Sequence, residues 1–472
     1  MNRRQFIGLG AAIAASAGIA PKTVFGAEEV FDNGVSDDAF APQADRATAV
    51  RSGYDYLNFA MDAYQQGPEL RLIQTYSDEA NLGSSAFVAD SAIAIIAHLR
   101  RRRPDDIARA RLLGDSLLYA QAHDPQYTDN RVRDAYWVGP FDIPGAKNDS
   151  YFVRDDGSVN LAGPPFSFVA TATAAPAWAG IALGRLFRRT RDRKYLDGAL
   201  QLGQWIVDNA HDDVGPGGFT FGVDVNNQRV VNIKSGEHNA LAYTLFANIL
   251  APLTRDSAWD DQGQHALRFI EYLWNENEGF FYVGSDRVGT VNTSNIAENV
   301  ESFPYLALRD SRYAASLDWS KTNLACTDTP QSPNAGFSGI LRFYGVSFAS
   351  QSRHPIEPAS PPKPDPDAVW FEGTAHLAAA LRARRRGPGR DVAGFRGDLA
   401  TANDYLRQIE VAQENLGSAQ RVNGLEVPKS AGVVNTSSML DTGFGLAFFP
   451  NLHISTTAWY LMAATGGNPF RL

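Results

Sequence analysis

Two glutamates stand at the start of apolar, helix-patterned segments, where polar side chains would face a shared space. Glu237 lies in Lys234-Ser235-Gly236-Glu237-His238-Asn239-Ala240-Leu241-Ala242-Tyr243. There Ser235 is placed to cap a helix, and Glu237 and His238 fall in its first turn. Glu372 follows the proline-rich stretch 355–366 in Trp370-Phe371-Glu372-Gly373-Thr374-Ala375-His376. Its four-residue spacing from His376 puts both on one helix face. Asp90 interrupts the apolar run Phe87-Val88-Ala89-Asp90-Ser91-Ala92-Ile93-Ala94, and a charge in such a run needs a partner or a task. Asp78 and Glu79, just upstream, compete with it, and a buried structural carboxylate is the alternative reading. Glu237 has its own plain alternative, a carboxylate that favours a helix N-terminus. Several acidic groups at the mouths of apolar helices are better read as a site. Two carboxyl groups facing one cleft are the minimum equipment for breaking a glycosidic bond. One protonates the leaving oxygen while the other activates water or attacks carbon. One of the two must be held protonated by burial or by its partner's charge.

Other chemistries find less support. His238, His376 and His453 follow no HExxH-like spacing, so no metal site is expected. The loop acids Asp212, Asp213 and Asp224 lack an EF-hand pattern. The sequence has no Walker loop, no dinucleotide-binding glycine fingerprint and no Gly-x-Ser-x-Gly elbow, and nothing in it requires a cofactor.

Apolar residues recurring at three- and four-residue intervals predict twelve helices, at about 43–65, 84–102, 104–122, 168–190, 193–210, 236–254, 258–275, 296–309, 312–325, 368–385, 392–415 and 450–465. From the second onward, tight turns pair them, at Arg103-Pro104-Asp105, Thr190–Arg193, Thr254–Ser257, Arg309-Asp310-Ser311 and Arg386–Gly389. Three of these turns repeat one pattern: Arg191-Asp192 then Tyr195, Arg255-Asp256 then Trp259, and Arg309-Asp310 then Tyr313. The aspartate suits a helix N-cap, and the repetition marks a helical hairpin array. Six hairpins predict an all-α, (α/α)6 toroid, with inner and outer helices alternating around one axis and residues 27–472 forming a single domain.

The geometry then locates function. The long, partly β-strand connections at about 123–167, 211–235, 276–295, 326–367 and 416–449 all enter even-numbered helices, so they gather on one face of the ring. They carry many rings, among them Tyr136, Trp137, Phe141, Tyr151, Phe221, Phe280, Phe281, Phe343, Trp370, Phe444 and Phe448. Aromatic faces stack on the C–H faces of sugars, although burial alone accounts for many individual rings. His238, Asn239, Trp370, His376, His453, Trp137 and Tyr136 are the candidate sugar-binding residues, with Glu237, Glu372 and Asp90 as the catalytic candidates.

The chain has 472 residues and a formal charge of −9. This balance argues against a nucleic-acid binder. The basic runs 100–103 and 382–386 sit at helix C-termini, where cations are favourable. Residues 1–26 combine Arg3-Arg4-Gln5-Phe6-Ile7 with an apolar run and a small-residue exit near Gly26, the form of a twin-arginine export signal. The expected product is periplasmic or secreted and, after signal cleavage, not held at a membrane. The single cysteine, Cys326, makes no internal disulfide.

The run Lys234–Asn239, the segment Trp370–Thr374 and the ending Thr456-Thr457-Ala458-Trp459 with Gly467-Asn468-Pro469-Phe470 together resemble bacterial exported proteins of the six-hairpin glycosidase type. The resemblance implies an (α/α)6 toroid that hydrolyses a polysaccharide or oligosaccharide with Glu or Asp as acid and base. Two departures stand out. Phe87-Val88-Ala89-Asp90 keeps the expected Asp without a Tyr, and Ser235-Gly236-Glu237 replaces Ser-Thr-Glu. Three other readings remain open. One is a polysaccharide lyase acting on uronates, with Lys234 and Arg229 offsetting substrate charge. Another is a sugar epimerase with paired histidine bases, and the last is a non-catalytic sugar-binding toroid.

Overall fold

The structure is a computed structural model that describes residues 45–64, 67–80, 82–138, 152–154, 156–161, 169–356, 362–384 and 392–472, with backbone alone at 392–396. The leader, Phe141, Tyr151 and the turn Arg386–Gly389 lie outside the described residues. The helices are α1 (Arg46–Asp62), α2 (Val88–Arg101), α3 (Pro104–Ala122), α4 (Ala174–Thr190), α5 (Arg193–Ala210) and α6 (Gly236–Tyr243), the last prolonged by a π-helical stretch (Thr244–Leu250) and a final α-helical turn (Ala251–Thr254). They continue with α7 (Ser257–Tyr272), α8 (Glu298–Leu308), α9 (Ala315–Asn323), α10 (Phe371–Arg384), α11 (Val392–Asn415) and α12 (Ile454–Thr465). Each corresponds to one helix expected from periodicity.

The three repeated turns have one geometry. Arg191, Arg255 and Arg309 end their helices in the left-handed region at φ 61°, 61° and 53°. The following Asp192, Asp256 and Asp310 each accept a hydrogen bond from the backbone N–H two residues on, which caps α5, α7 and the 3-10 turn Ser311–Tyr313 that leads into α9. The aromatic residue three positions beyond the Asp then anchors that helix. Tyr195 and Tyr313 are buried and Trp259 stacks on Phe246.

The even-numbered helices close a ring. Packing runs from α2 to α4, α6, α8, α10, α12 and back to α2, with the odd-numbered helices outside. Among the described residues, all strands occur in seven two-stranded antiparallel pairs within the long loops. Several inner helices start a few residues later than periodicity suggests, because the residues before them are extended and pair with neighbouring loops. Ser85–Phe87 pairs with Ala135–Trp137, Thr171 with Val223, and Lys234 with Ser285. Ala297 bridges Ala349, Trp370 bridges Thr436 and His453 bridges Tyr76. These pairings satisfy backbone groups that the first helical turn leaves free and fix the rotation of each inner helix. At the other end, the C-terminal tail plugs the ring. Phe470 is fully buried, with its ring centroid 4.9 Å from Phe303, 5.6 Å from Trp178 and 6.1 Å from Trp459. Asn468 Nδ2 donates to Leu306 O at the end of α8.

Candidate active site

Because every inner helix enters the ring from the same face, equivalent positions converge on the axis. The second residue of each, Ala89, Ala175, Glu237, Asn299, Glu372 and Ser455, lines a single cavity of about 280 Å³. One turn deeper, Ile93, Trp178, Phe303, His376 and Trp459 form its floor. The alanines on α2 and α4 leave room on one side. The polar groups of α6, α8, α10 and α12 occupy the other.

Glu372 sits at the centre of a hydrogen-bonded and ionic cluster. Ser455 Oγ donates to its Oε1 at 2.6 Å, His376 Nε2 lies 3.6 Å from Oε1, and His453 Nδ1 lies 3.4 Å from Oε2. Burial alone would raise this carboxyl, but the two imidazolium rings outweigh it and hold Glu372 well below the usual carboxylate range. Each histidine has a second acidic partner: Glu298 Oε2 is 3.2 Å from His376 Nδ1, and Asp90 Oδ2 is 3.7 Å from His453 Nε2. Burial opposes their charge, yet the flanking acids prevail and raise His376 to about 8 and His453 to about 9. Tyr76 stacks on His453 with centroids 4.1 Å apart, and its hydroxyl accepts from Asn435 Nδ2 at 3.1 Å.

Glu237 has the opposite environment. Its Oε2 accepts one hydrogen bond, from Asn299 Nδ2 at 2.7 Å. Burial pushes it up to about 7, with the charge of Glu372 adding to the effect against the pull of His376. One cavity therefore holds a carboxyl that keeps its proton up to about pH 7 and a carboxylate kept ionised, the division that acid and base roles require.

Of the three expected catalytic residues, Glu237 and Glu372 face the cavity and Asp90 lines it beside His453. Trp370, His376 and His453 also line it. His238, Asn239, Tyr136 and Trp137 are not among the lining residues. Successive helical residues are about 100° apart, so with Glu237 on the axis His238 turns away against Phe221, where burial lowers its pKa to about 4. Asn239 braces the preceding loop through Phe219 N, Phe219 O and Ser235 O. The Tyr136 hydroxyl accepts from Arg133 N in the core, and Trp137 is buried in the strand pair below the rim.

The competing carboxylates have structural partners. Asp78 accepts from Asn423 and Gly424 N–H groups and Glu79 from Arg421 N–H, fixing the hairpin around 421–426. Lys234 is wholly buried, with its Nζ 2.8 Å from Asp212 and donating to Val214 and Gly217 carbonyls. Arg229 donates to His211 O. Asp212 is shared with Arg287, and Asp224 accepts from the N–H groups of its own turn. Asp213 is exposed and pairs with His211.

The sequence reading missed Asp134, Tyr76, Asn299 and Glu298. Asp134 precedes the strand pair. Its Oδ1 accepts from Ala172 N at 2.8 Å, while buried Oδ2 has no partner, and Asp134 lines the cavity on the alanine side. Burial raises it to about 7. Its folded pKa lies above the unfolded one of about 3.9, so the stability it contributes is complete below that value and is lost as pH rises through 7. Asp134→Asn is therefore expected to melt higher than wild type at pH 8, with the difference shrinking toward pH 4. Thermal unfolding at the two pH values tests this, and a pH-independent difference would refute the burial argument.

No protein-family model matches the chain, and no curated protein matches it in sequence. Solved structures do share its architecture. A glycosidase variant in complex with glucose aligns over 91% of this chain and 98% of its own at a TM-score of 0.53 and 12% identity. A family 76 glycoside hydrolase from a bovine Bacteroides thetaiotaomicron strain covers 89% and 77% at 0.53 and 9% identity. A family 76 α-mannanase of Bacteroides thetaiotaomicron covers 90% and 96% at 0.51 and 13% identity. The chain thus has the (α/α)6 toroid fold on which these glycoside hydrolases are built.

Proposed function

We propose that this protein is a glycoside hydrolase that cleaves an O-glycosidic bond of an uncharged sugar chain or glycoside. The observation that carries the reading is the pairing of Glu237 and Glu372 in one cavity with their protonation states driven apart. Glu237 gives its proton to the glycosidic oxygen as the bond to the anomeric carbon breaks. Glu372 takes the opposite role, as base toward water or as nucleophile. Water supplies the hydroxyl that ends on the anomeric carbon. Its second proton returns to Glu237 directly when Glu372 is the nucleophile, and goes to Glu372 when Glu372 is the base, to be released to solvent while Glu237 takes a proton back. His376, His453 and Ser455 hold Glu372 ionised and oriented, and Asp90 and Glu298 hold the histidines. The fold shared with glycoside hydrolases supports the reading.

Among the described residues, the cationic groups lining the cavity are Lys234, His376 and His453, and each is paired with an internal acid. None is left to neutralise a uronate carboxylate, which speaks against the lyase alternative. The twin-arginine leader supports a periplasmic or secreted location, where the substrate is an extracellular glycan or glycoside. Purified mature protein should release new reducing ends from neutral glycans or glycosides without the ultraviolet absorbance of unsaturated products. Unsaturated products from uronate polymers would overturn the proposal.

A further inference from the structure

We infer that the wall of the cavity beside Glu372 is a subsite for an apolar aglycone, so that the substrate is a sugar joined to a hydrophobic alcohol rather than to another sugar; this rests on the hydrolase reading. The wall is made by Phe348, Trp370 and the hairpin 440–448, which brings Phe444, Leu446 and Phe448 to the cavity. The hairpin turn is Thr442-Gly443-Phe444-Gly445-Leu446. Both glycines adopt left-handed φ, 72° and 84°. A Cβ on Gly443 would also meet Asn295 and Gln351 at 2.7 Å. Asn295 Nδ2 donates to Thr442 O, so the turn is pinned over the site.

Two features decide what this wall accepts. The first is polarity. The Trp370 indole N–H donates to Asn435 Oδ1, and the Thr442 hydroxyl donates to Leu446 O. Both are engaged internally, and the other side chains of the wall are apolar. A sugar seated here would lose water from its hydroxyls with no replacement from these five side chains and Thr442, at about 1–3 kcal/mol for each unsatisfied group. The second is shape. Phe348 meets Phe444 at 82° and Phe448 at 83°, and tilts 54° from Trp370. Rings inclined to Phe348 in this way, with Trp370 and Phe448 31° apart, present no single flat face of the kind on which a pyranose stacks. Phe348, Phe444, Leu446 and Phe448 are all only partly buried, as expected of a surface that an apolar group would cover. The groups able to hold sugar hydroxyls, Asp90, Asp134, Asn299 and Ser455, are supplied by other walls.

The test compares octyl and methyl glycosides of glucose and mannose in both anomeric forms, together with the corresponding disaccharides. Octanol and methanol are leaving groups of similar acidity, so their ratio reads binding of the chain and not chemistry. For the sugar that is cleaved, kcat/KM for the octyl glycoside is expected to exceed that for the methyl glycoside and the disaccharide by at least about tenfold. Phe448→Ala and, at the turn tip, Phe444→Ala should each reduce that ratio severalfold, and two separate variants guard against one that fails to fold. Calorimetry with octyl 1-thioglycosides, which resist cleavage, reads the subsite without turnover. Cleavage of disaccharides as fast as octyl glycosides, or an octyl-to-methyl ratio unchanged in both variants, would overturn the subsite and leave the hydrolase reading intact. Saturable thioglycoside binding, weakened in both variants, with no glycoside cleaved would keep the subsite and overturn the hydrolase reading. Absence of both binding and cleavage would overturn both.

Discussion

Glu237→Gln is expected to lower kcat on unactivated glycosides by about 10²–10⁴-fold, the contribution of a positioned general acid. The amide keeps the shape and can still accept from Asn299, so the loss is one of proton transfer and not of packing. The wild-type pH profile should show the same group. As the proposed acid, Glu237 must be protonated, and its pKa is raised to about 7, so activity is expected to fall as pH rises through that value. As the proposed base or nucleophile, Glu372 must be ionised, and its neighbours hold it well below the ordinary range, so the acid limb is expected below that of an unperturbed carboxylate. A leaving group that needs no proton, such as a dinitrophenolate, should restore much of the activity of Glu237→Gln and remove the limb near pH 7. Loss of the same magnitude on activated and unactivated substrates would show that Glu237 is not the acid.

The architecture was legible because helical hairpins write themselves locally. The Arg-Asp turns combine a left-handed residue with an N-cap, and both demands act within four residues. Glu237, Glu372 and Asp90 were legible for a related reason: each places charge in the first turn of a helix that is otherwise apolar, and burial then demands a task for it. What the sequence did not reveal is rotation about the helix axis. His238 and Asn239 look as polar as Glu237, yet only one of three consecutive residues can face the centre. Pairing of Lys234-Ser235 with Gly284-Ser285 selects which one. Glu298 and Asn299 read as an ordinary acidic helix start, and only the closed ring shows that this turn faces inward. Asp134 lies outside any helix, so its role depends on a loop contact that periodicity does not encode. The aromatic residues divided in the same way. Phe221, Phe348, Phe444 and Phe448 line the cavity, while Tyr136, Phe281 and Phe343 anchor loops in the core.

Glu372→Gln is expected to abolish turnover and also to destabilise the fold, an outcome that distinguishes it from Glu237→Gln. Glu372 is the acid shared by His376 and His453, and removing its charge leaves two buried imidazolium rings with one acidic partner each. Breaking a buried ionic arrangement in this way costs on the order of 3–5 kcal/mol. The pH dependence follows from the direction of each shift. The depressed pKa of Glu372 contributes stability that is present above its unfolded value near 4.3 and lost only as pH falls through the lowered one. The raised pKa values of His376 and His453 contribute stability that is complete below about 6.5 and lost as pH rises through about 8 and about 9. The cluster thus stabilises most between about pH 4.5 and 6.5, and wild type should weaken from pH 7 to 9. In Glu372→Gln the histidines should titrate closer to 6.5 and the decline above pH 7 should flatten. Urea unfolding across this range, with histidine titration followed by NMR, tests both. Parallel stability profiles for variant and wild type from pH 5 to 9 would mean that the histidines are not held charged by Glu372, and the orienting role assigned to them would fall.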